Sequence, residues 1–167
     1  TLGRDTDIAA RARAILADTA VVDPAMAAAA VNVVAATGGE ADFDMYLARF
    51  RSASSPQEEL RYLYALADFD DPDLIRRLLA MTLDEVRTQN APLLLRRALV
   101  NRDQGPLAWA FIVAEWDALN DRLPSNSIAR MLEGIRSLSR GDVAPEVFEF
   151  FETHTVPQGD KILAQHL

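Results

Sequence analysis

Four aspartates fall within six positions in the stretch DFDDPD, residues 68–73. Crowded carboxylates are the donor set that a calcium ion takes, so cation binding is the chemistry this spacing would serve. An EF-hand loop counted from Asp68 needs glycine at its sixth position and glutamate at its twelfth, but Asp73 and Leu79 stand there. The same residues make a good helix start. Asp71 would cap a helix beginning at Pro72, with Asp73 in the first turn, where the helix dipole favours negative charge. The two histidines, His154 and His166, are joined by no H-E-x-x-H and by no histidine at i+4, so no zinc site is expected within this chain. There is no cysteine, no G-x-S-x-G elbow and no phosphate-binding glycine loop. Glu58–Glu59 and Glu149–Glu152 have the spacing of a solvated helix face. No catalytic and no metal-binding residue is assigned.

Two further stretches hold residues able to bind. RRLL (76–79) and LLLRRAL (93–99) set arginine pairs between leucines. Such arginines usually lie along the rim of a helix–helix contact with their stems on apolar surface. On a concave surface they would instead hold a peptide carboxylate through paired hydrogen bonds. GPLAWAFIVAEW (105–116) places Trp109 and Trp116 one heptad apart. A helical wheel puts Trp109, Ile112, Val113, Trp116, Leu119 and Leu123 on one face, with Leu107 and Phe111 roughly opposite. Ala110, Ala114 and Ala118 form a third strip where another helix could approach closely. These aromatic residues are expected to be a packed spine rather than a ligand cage, which would leave its rings on an open polar face.

The elements that must carry these residues are helical. Apolar residues recur at helical spacing between short breakers, and neither alternating β-branched runs nor Asn-Gly or Asp-Gly hairpin turns occur. Helices are expected at 5–18, 24–37, 41–53, 56–68, 72–81, 91–101, 106–122, 126–139, 143–154 and 158–167. Asp23-Pro24 and Ser55-Pro56 each supply a capping side chain followed by proline at the first helical position, and Glu58 would complete a capping box with Ser55. Gly38-Gly39 and Gly141 fit helix ends. About ten helices joined by short loops predict an all-α fold, an irregular α-solenoid of antiparallel HEAT-like hairpins forming one domain over residues 1–167.

The 167 residues carry a net charge of -8, half of them apolar and a quarter charged. That balance suits a globular domain and excludes a phosphate-backbone binder, which needs clustered Lys and Arg. The longest apolar run, PAMAAAAVNVVAA, falls short of the ~20 residues that span a bilayer. No nucleic-acid partner and no membrane span are expected. An Ala-, Arg- and Asp-rich composition points to a bacterial, cytoplasmic source.

Residues 66–123 resemble the C-terminal helical domain of M1-family zinc aminopeptidases. The marks are DPDLIRRLL (71–79), the connector VRTQN (86–90), and GPLAWAFIVAEW with Gly105, Pro106, Leu107, Trp109, Phe111 and Trp116 in the family's spacing. SNSIARMLEGI (125–135) and FEFFET (148–153) are similar to the helices that follow, and residues 1–65 fit more loosely. The resemblance implies a bowl of HEAT-like helix pairs over a thermolysin-like catalytic domain of the same polypeptide, enclosing a cavity that takes peptides. The family's zinc ligands and amino-terminus-reading loop, H-E-x-x-H and G-x-M-E-N, are absent here. Zinc is therefore expected in the parent's catalytic domain and not in this chain, which is expected to be a non-catalytic part of a longer domain. Arg87 and Gln89 are the candidates for domain or cavity contacts; Gly105, Pro106, Trp109, Phe111 and Trp116 are expected to be structural. The alternative is a stand-alone HEAT-like scaffold that binds another protein.

Overall fold

A computed structural model describes residues 6–17, 23–138 and 143–156. Among them are ten α-helices and no strand: α1 (Thr6–Ala17), α2 (Pro24–Thr37), α3 (Glu40–Arg51), α4 (Pro56–Ala65), α5 (Pro72–Met81), α6 (Ala91–Val100), α7 (Gly105–Ala114), α8 (Trp116–Arg122), α9 (Ser125–Leu132) and α10 (Val143–Thr153). Two 3-10 segments, Leu66–Asp68 and Glu133–Leu138, extend α4 and α9. The all-α fold is as the sequence predicts. The tenth predicted helix (158–167), Gly141 and His166 lie outside the described residues.

The predicted caps form. The Asp23 carboxylate accepts from the amides of Ala25 and Met26 at 2.8 and 3.2 Å. Asp71 does the same for Asp73 and Leu74 at 2.8 and 3.3 Å, which accounts for one carboxylate of the acidic run. Ser55 Oγ accepts from the Glu58 amide at 3.2 Å. The return bond of the capping box differs from expectation. Glu58 Oε2 accepts from the amide and hydroxyl of Ser54, at 3.0 and 2.9 Å, and those bonds hold its carboxyl below the usual glutamate range.

The chain packs as two compact units, residues 1–74 and 75–167, with the boundary inside α5. In the first, α1 packs on α2 and α3 on α4. Its core is aromatic: Phe43 and Tyr46 of α3 meet Phe69 edge to face, with ring centroids 5.3 and 5.8 Å apart. Tyr46 is fully buried, and its hydroxyl donates to the Val31 carbonyl at 2.7 Å, giving a buried polar atom its partner. Helix α3 also grips α1 by charge. Asp42 accepts two bonds from Arg13, at 3.1 and 2.8 Å, and Arg49 donates to the Leu16 carbonyl at 2.9 Å and to the Tyr62 hydroxyl at 2.6 Å.

In the second unit α6 packs against α7, α9 and the 3-10 segment 133–138. The contact is close because glycine stands where a side chain would collide. A β-carbon on Gly134 would come within 2.9 Å of the Arg96 carbonyl, and one on Gly105 within 2.7 Å of the Leu99 carbonyl. The predicted helix 106–122 pauses at Glu115, whose φ and ψ are −105° and 19°, so α7 and α8 replace one rod.

Candidate functional site

The heptad tryptophans are buried, Trp109 2% and Trp116 7% exposed. Both meet one ring of α10. Phe150 lies edge to face with Trp109 at 5.4 Å and with Trp116 at 5.0 Å, and Phe151 flanks them at 5.9 and 6.3 Å. His154 stacks flat on Phe150, centroids 4.0 Å apart and planes 4° from parallel. Its Nδ1 lies 2.9 Å from the Phe150 carbonyl and 3.0 Å from the Thr153 hydroxyl. The imidazole is thus a helix-end cap within an aromatic stack. The two tryptophans are thus packed against the rings of α10.

Two expectations about α7 fail. Val113 is 37% exposed instead of sharing the buried face, and Ala110, Ala114 and Ala118 are exposed, with no helix among the described residues covering them. Burial centres on Gly105, Ala108, Ile112 and Leu119 with the tryptophans at its margin. At 100° per residue Val113 then falls about 110° from that centre. Of the family-motif positions, Gly105 is buried against Leu99, Pro106 is exposed in the first turn of α7, and Phe111 is half-buried.

The connector between α5 and α6, residues 82–90, is built differently. It contains no regular helix, yet Thr82, Val86 and Asn90 are buried. The Thr82 hydroxyl donates to the Leu79 carbonyl at 2.6 Å, and the amides of Glu85 and Val86 both donate to the Met81 carbonyl. The amides of Asn90 and Ala91 both donate to the Arg87 carbonyl. Between these anchors Arg87, Thr88 and Gln89 are exposed. The two candidate contact residues therefore stand on the surface of one tied-down turn.

One residue that sequence reasoning missed holds this turn from behind. Arg122, at the end of α8, donates from Nε to the Thr82 carbonyl at 3.2 Å and from Nη2 to the carbonyls of Asp84 and Val86 at 3.2 and 2.6 Å. A basic residue in the last turn of a helix was the visible signal, and that signal points to its own helix end rather than to a loop some 40 residues away. Of the arginine pairs, Arg96 is bound to Glu133 at 2.7 Å with both about one-third exposed, while Arg76 and Arg77 are exposed on α5. Among the described residues no group of three or more His, Asp or Glu side chains is arranged to hold a metal ion, and no helix is long and apolar enough to cross a membrane.

The described residues thus build helical pairs, a glycine-tight contact at α6 and a connector tethered by Arg122. A family model described as the ERAP1-like C-terminal domain matches residues 2–167, and the chain belongs to that family. Aminopeptidase M1-B of Oryza sativa subsp. japonica is 30% identical over 141 residues, covering 83% of this chain and 16% of the relative. The alanine/arginine aminopeptidase of Saccharomyces cerevisiae is 27% identical over 149 residues, 86% of this chain and 17% of the relative. The glutamyl aminopeptidase of Rattus norvegicus is 32% identical over 92 residues, 54% of this chain and 10% of the relative. The chain thus spans about one-sixth or less of the length of these relatives.

Proposed function

We propose that this chain serves as one non-catalytic domain, over residues 1–167, of a zinc-dependent M1 aminopeptidase that removes N-terminal residues from peptides in the cytoplasm. The observation that carries the proposal is the family match across residues 2–167 together with relatives that are named aminopeptidases. The zinc and its ligands belong to the catalytic domain of the same polypeptide, because this chain lacks H-E-x-x-H and its described residues offer no such donor set. The helical pairs continue as a HEAT-like solenoid that packs over that domain and walls its cavity. Its contribution to rate is positional: excluding water and holding the peptide in register lower the barrier without a proton transfer from this chain. Arg87 and Gln89 make contact with the catalytic domain or with the cavity it encloses.

The test compares this chain with the longer polypeptide encoded by its gene. The longer polypeptide is expected to bind one zinc and to hydrolyse aminoacyl-amide substrates, with activity lost to a chelator and restored by zinc. The 167-residue chain is expected to do neither. A gene that carries no in-frame H-E-x-x-H and G-x-M-E-N upstream of the Thr1 codon would overturn the proposal in favour of a stand-alone scaffold.

A further inference from the structure

We infer that Arg122 is a positioning residue whose guanidinium holds the connector 82–86 in one conformation and thereby presents Arg87, Thr88 and Gln89 as a preformed polar contact for the catalytic domain of the same polypeptide. The contact itself rests on the function proposed above, whereas the clamp rests on geometry alone. A nine-residue stretch outside any helix leaves main-chain carbonyls to be satisfied, and a loop left to water for that purpose samples many conformations. Here one guanidinium takes three of those carbonyls, from Thr82, Asp84 and Val86, across 36 to 40 positions of sequence. Its planar, forked donor set is suited to that work in a way a lysine ammonium is not. The carbonyls lie on alternate residues, so the clamp fixes the path of the chain rather than one peptide group.

Arg122 is attached to α8, whose Trp116 is locked by Phe150 and whose Leu119 is fully buried, so the clamp is anchored in the packed core of its unit. On the far side, the Arg87 carbonyl accepts the amides of Asn90 and Ala91 and ties the turn to the start of α6. The exposed tip between these two anchors carries a cation, a hydroxyl and a carboxamide. Such a tip is polar throughout and suits a hydrogen-bonding protein surface better than an apolar peptide. Ordering the tip before contact spares the complex the conformational cost of ordering it on binding.

Amide hydrogen exchange of the 167-residue chain tests the clamp, using Arg122→Met and Arg122→Lys. In Arg122→Met the amides of Glu85, Val86, Asn90 and Ala91 are expected to exchange about 10- to 100-fold faster, while those of α7 and α9 keep their rates. Arg122→Lys should restore part of that protection. The chain has no cysteine, so a nitroxide placed by Thr88→Cys supplies a second reading, with a spectrum that turns mobile in Arg122→Met. Unchanged exchange in the connector, or a uniform rise through α6, α7 and α9 in both variants, would overturn the clamp whatever the connector touches. The contact is tested separately in the longer polypeptide. Added protection at residues 87–89 that Arg122→Met abolishes supports it, and equal exchange in the short and long chains sinks the contact while leaving the clamp standing.

Discussion

Gly134 sits so close to Leu99 that a β-carbon placed on it would lie 2.8 Å from the Leu99 Cβ. Neither that atom nor the Arg96 carbonyl on its other side is the free end of a flexible side chain. The second unit is therefore built on a contact that only glycine admits.

Gly134→Ala is expected to destabilise the chain. The gain in helical propensity is about 1 kcal/mol, while forcing a methyl into a filled contact costs about 1–3 kcal/mol. At the middle of that range the net loss is about 1 kcal/mol and should lower Tm by about 2–4 °C in calorimetry. Gly105→Ala meets the Leu99 carbonyl in the same way and should behave alike. A Tm equal to or above wild type in both would show that α6 has room to move.

Trp109→Ala is expected to cost about 3–5 kcal/mol, as a large buried ring leaves a cavity that its neighbours cannot fill. Phe150→Leu keeps most of the apolar volume but removes the edge-to-face contacts with both tryptophans, for about 0.5–1.5 kcal/mol. Its near-ultraviolet circular dichroism should lose tryptophan signal before stability falls far. An unaltered spectrum would mean that the rings are not held as described.

Asp42 and Arg49 grip the same helix but should not count equally. Arg13 and Asp42 are 43% and 16% exposed, and Asp42→Asn is expected to cost about 1 kcal/mol or less, with a loss that shrinks in high salt. Arg49→Met frees the Leu16 carbonyl and the Tyr62 hydroxyl from charged donors and should cost about 1.5–3 kcal/mol, with little salt dependence. Urea unfolding at low and high ionic strength separates the two, and equal effects would contradict the difference in their surroundings.

Burial pushes the Tyr46 phenol well above its ordinary value, with smaller contributions from the neighbouring Tyr62 and Asp42. A raised folded-state value means that its stabilisation is complete below the unfolded tyrosine pKa of about 10 and is lost as pH rises through the folded value. Stability should thus fall steadily above pH ~10. In absorbance titration Tyr46 should ionise only with unfolding. Tyr46→Phe should weaken that alkaline slope at a cost of about 1 kcal/mol for the lost bond to Val31. A slope unchanged by Tyr46→Phe would place the alkaline sensitivity elsewhere.

Much of the fold was legible because its signals are local. Asp23-Pro24, Ser55-Pro56 and Asp71-Pro72 start α2, α4 and α5 where a capping oxygen and a fixed φ say they should. Glu40 begins α3 one residue earlier than predicted, where the Asp42 carboxylate accepts from the Gly39 amide. What escaped was long-range. Nothing near Arg122 announces that its partners are main-chain carbonyls, since a carbonyl is the same on every residue. The 3-10 tightening at 133–138 accompanies the close approach of Gly134 to Leu99, a tertiary contact that no helical wheel contains. Val113 was misplaced because a wheel gives angular order but not the direction of burial. Arg87 and Gln89 came from resemblance, and their exposure follows from anchors on Val86 and Asn90.

The pause at Glu115 puts Trp109 and Trp116 on different helices, yet both rest on Phe150. Helix α10 is therefore a splint laid across a bend. Phe150 and Phe151 each touch both tryptophans, so the same two rings bridge α7 and α8. Because Arg122 also belongs to α8, the aromatic stack and the carbonyl clamp on the connector take their anchorage from the same short helix.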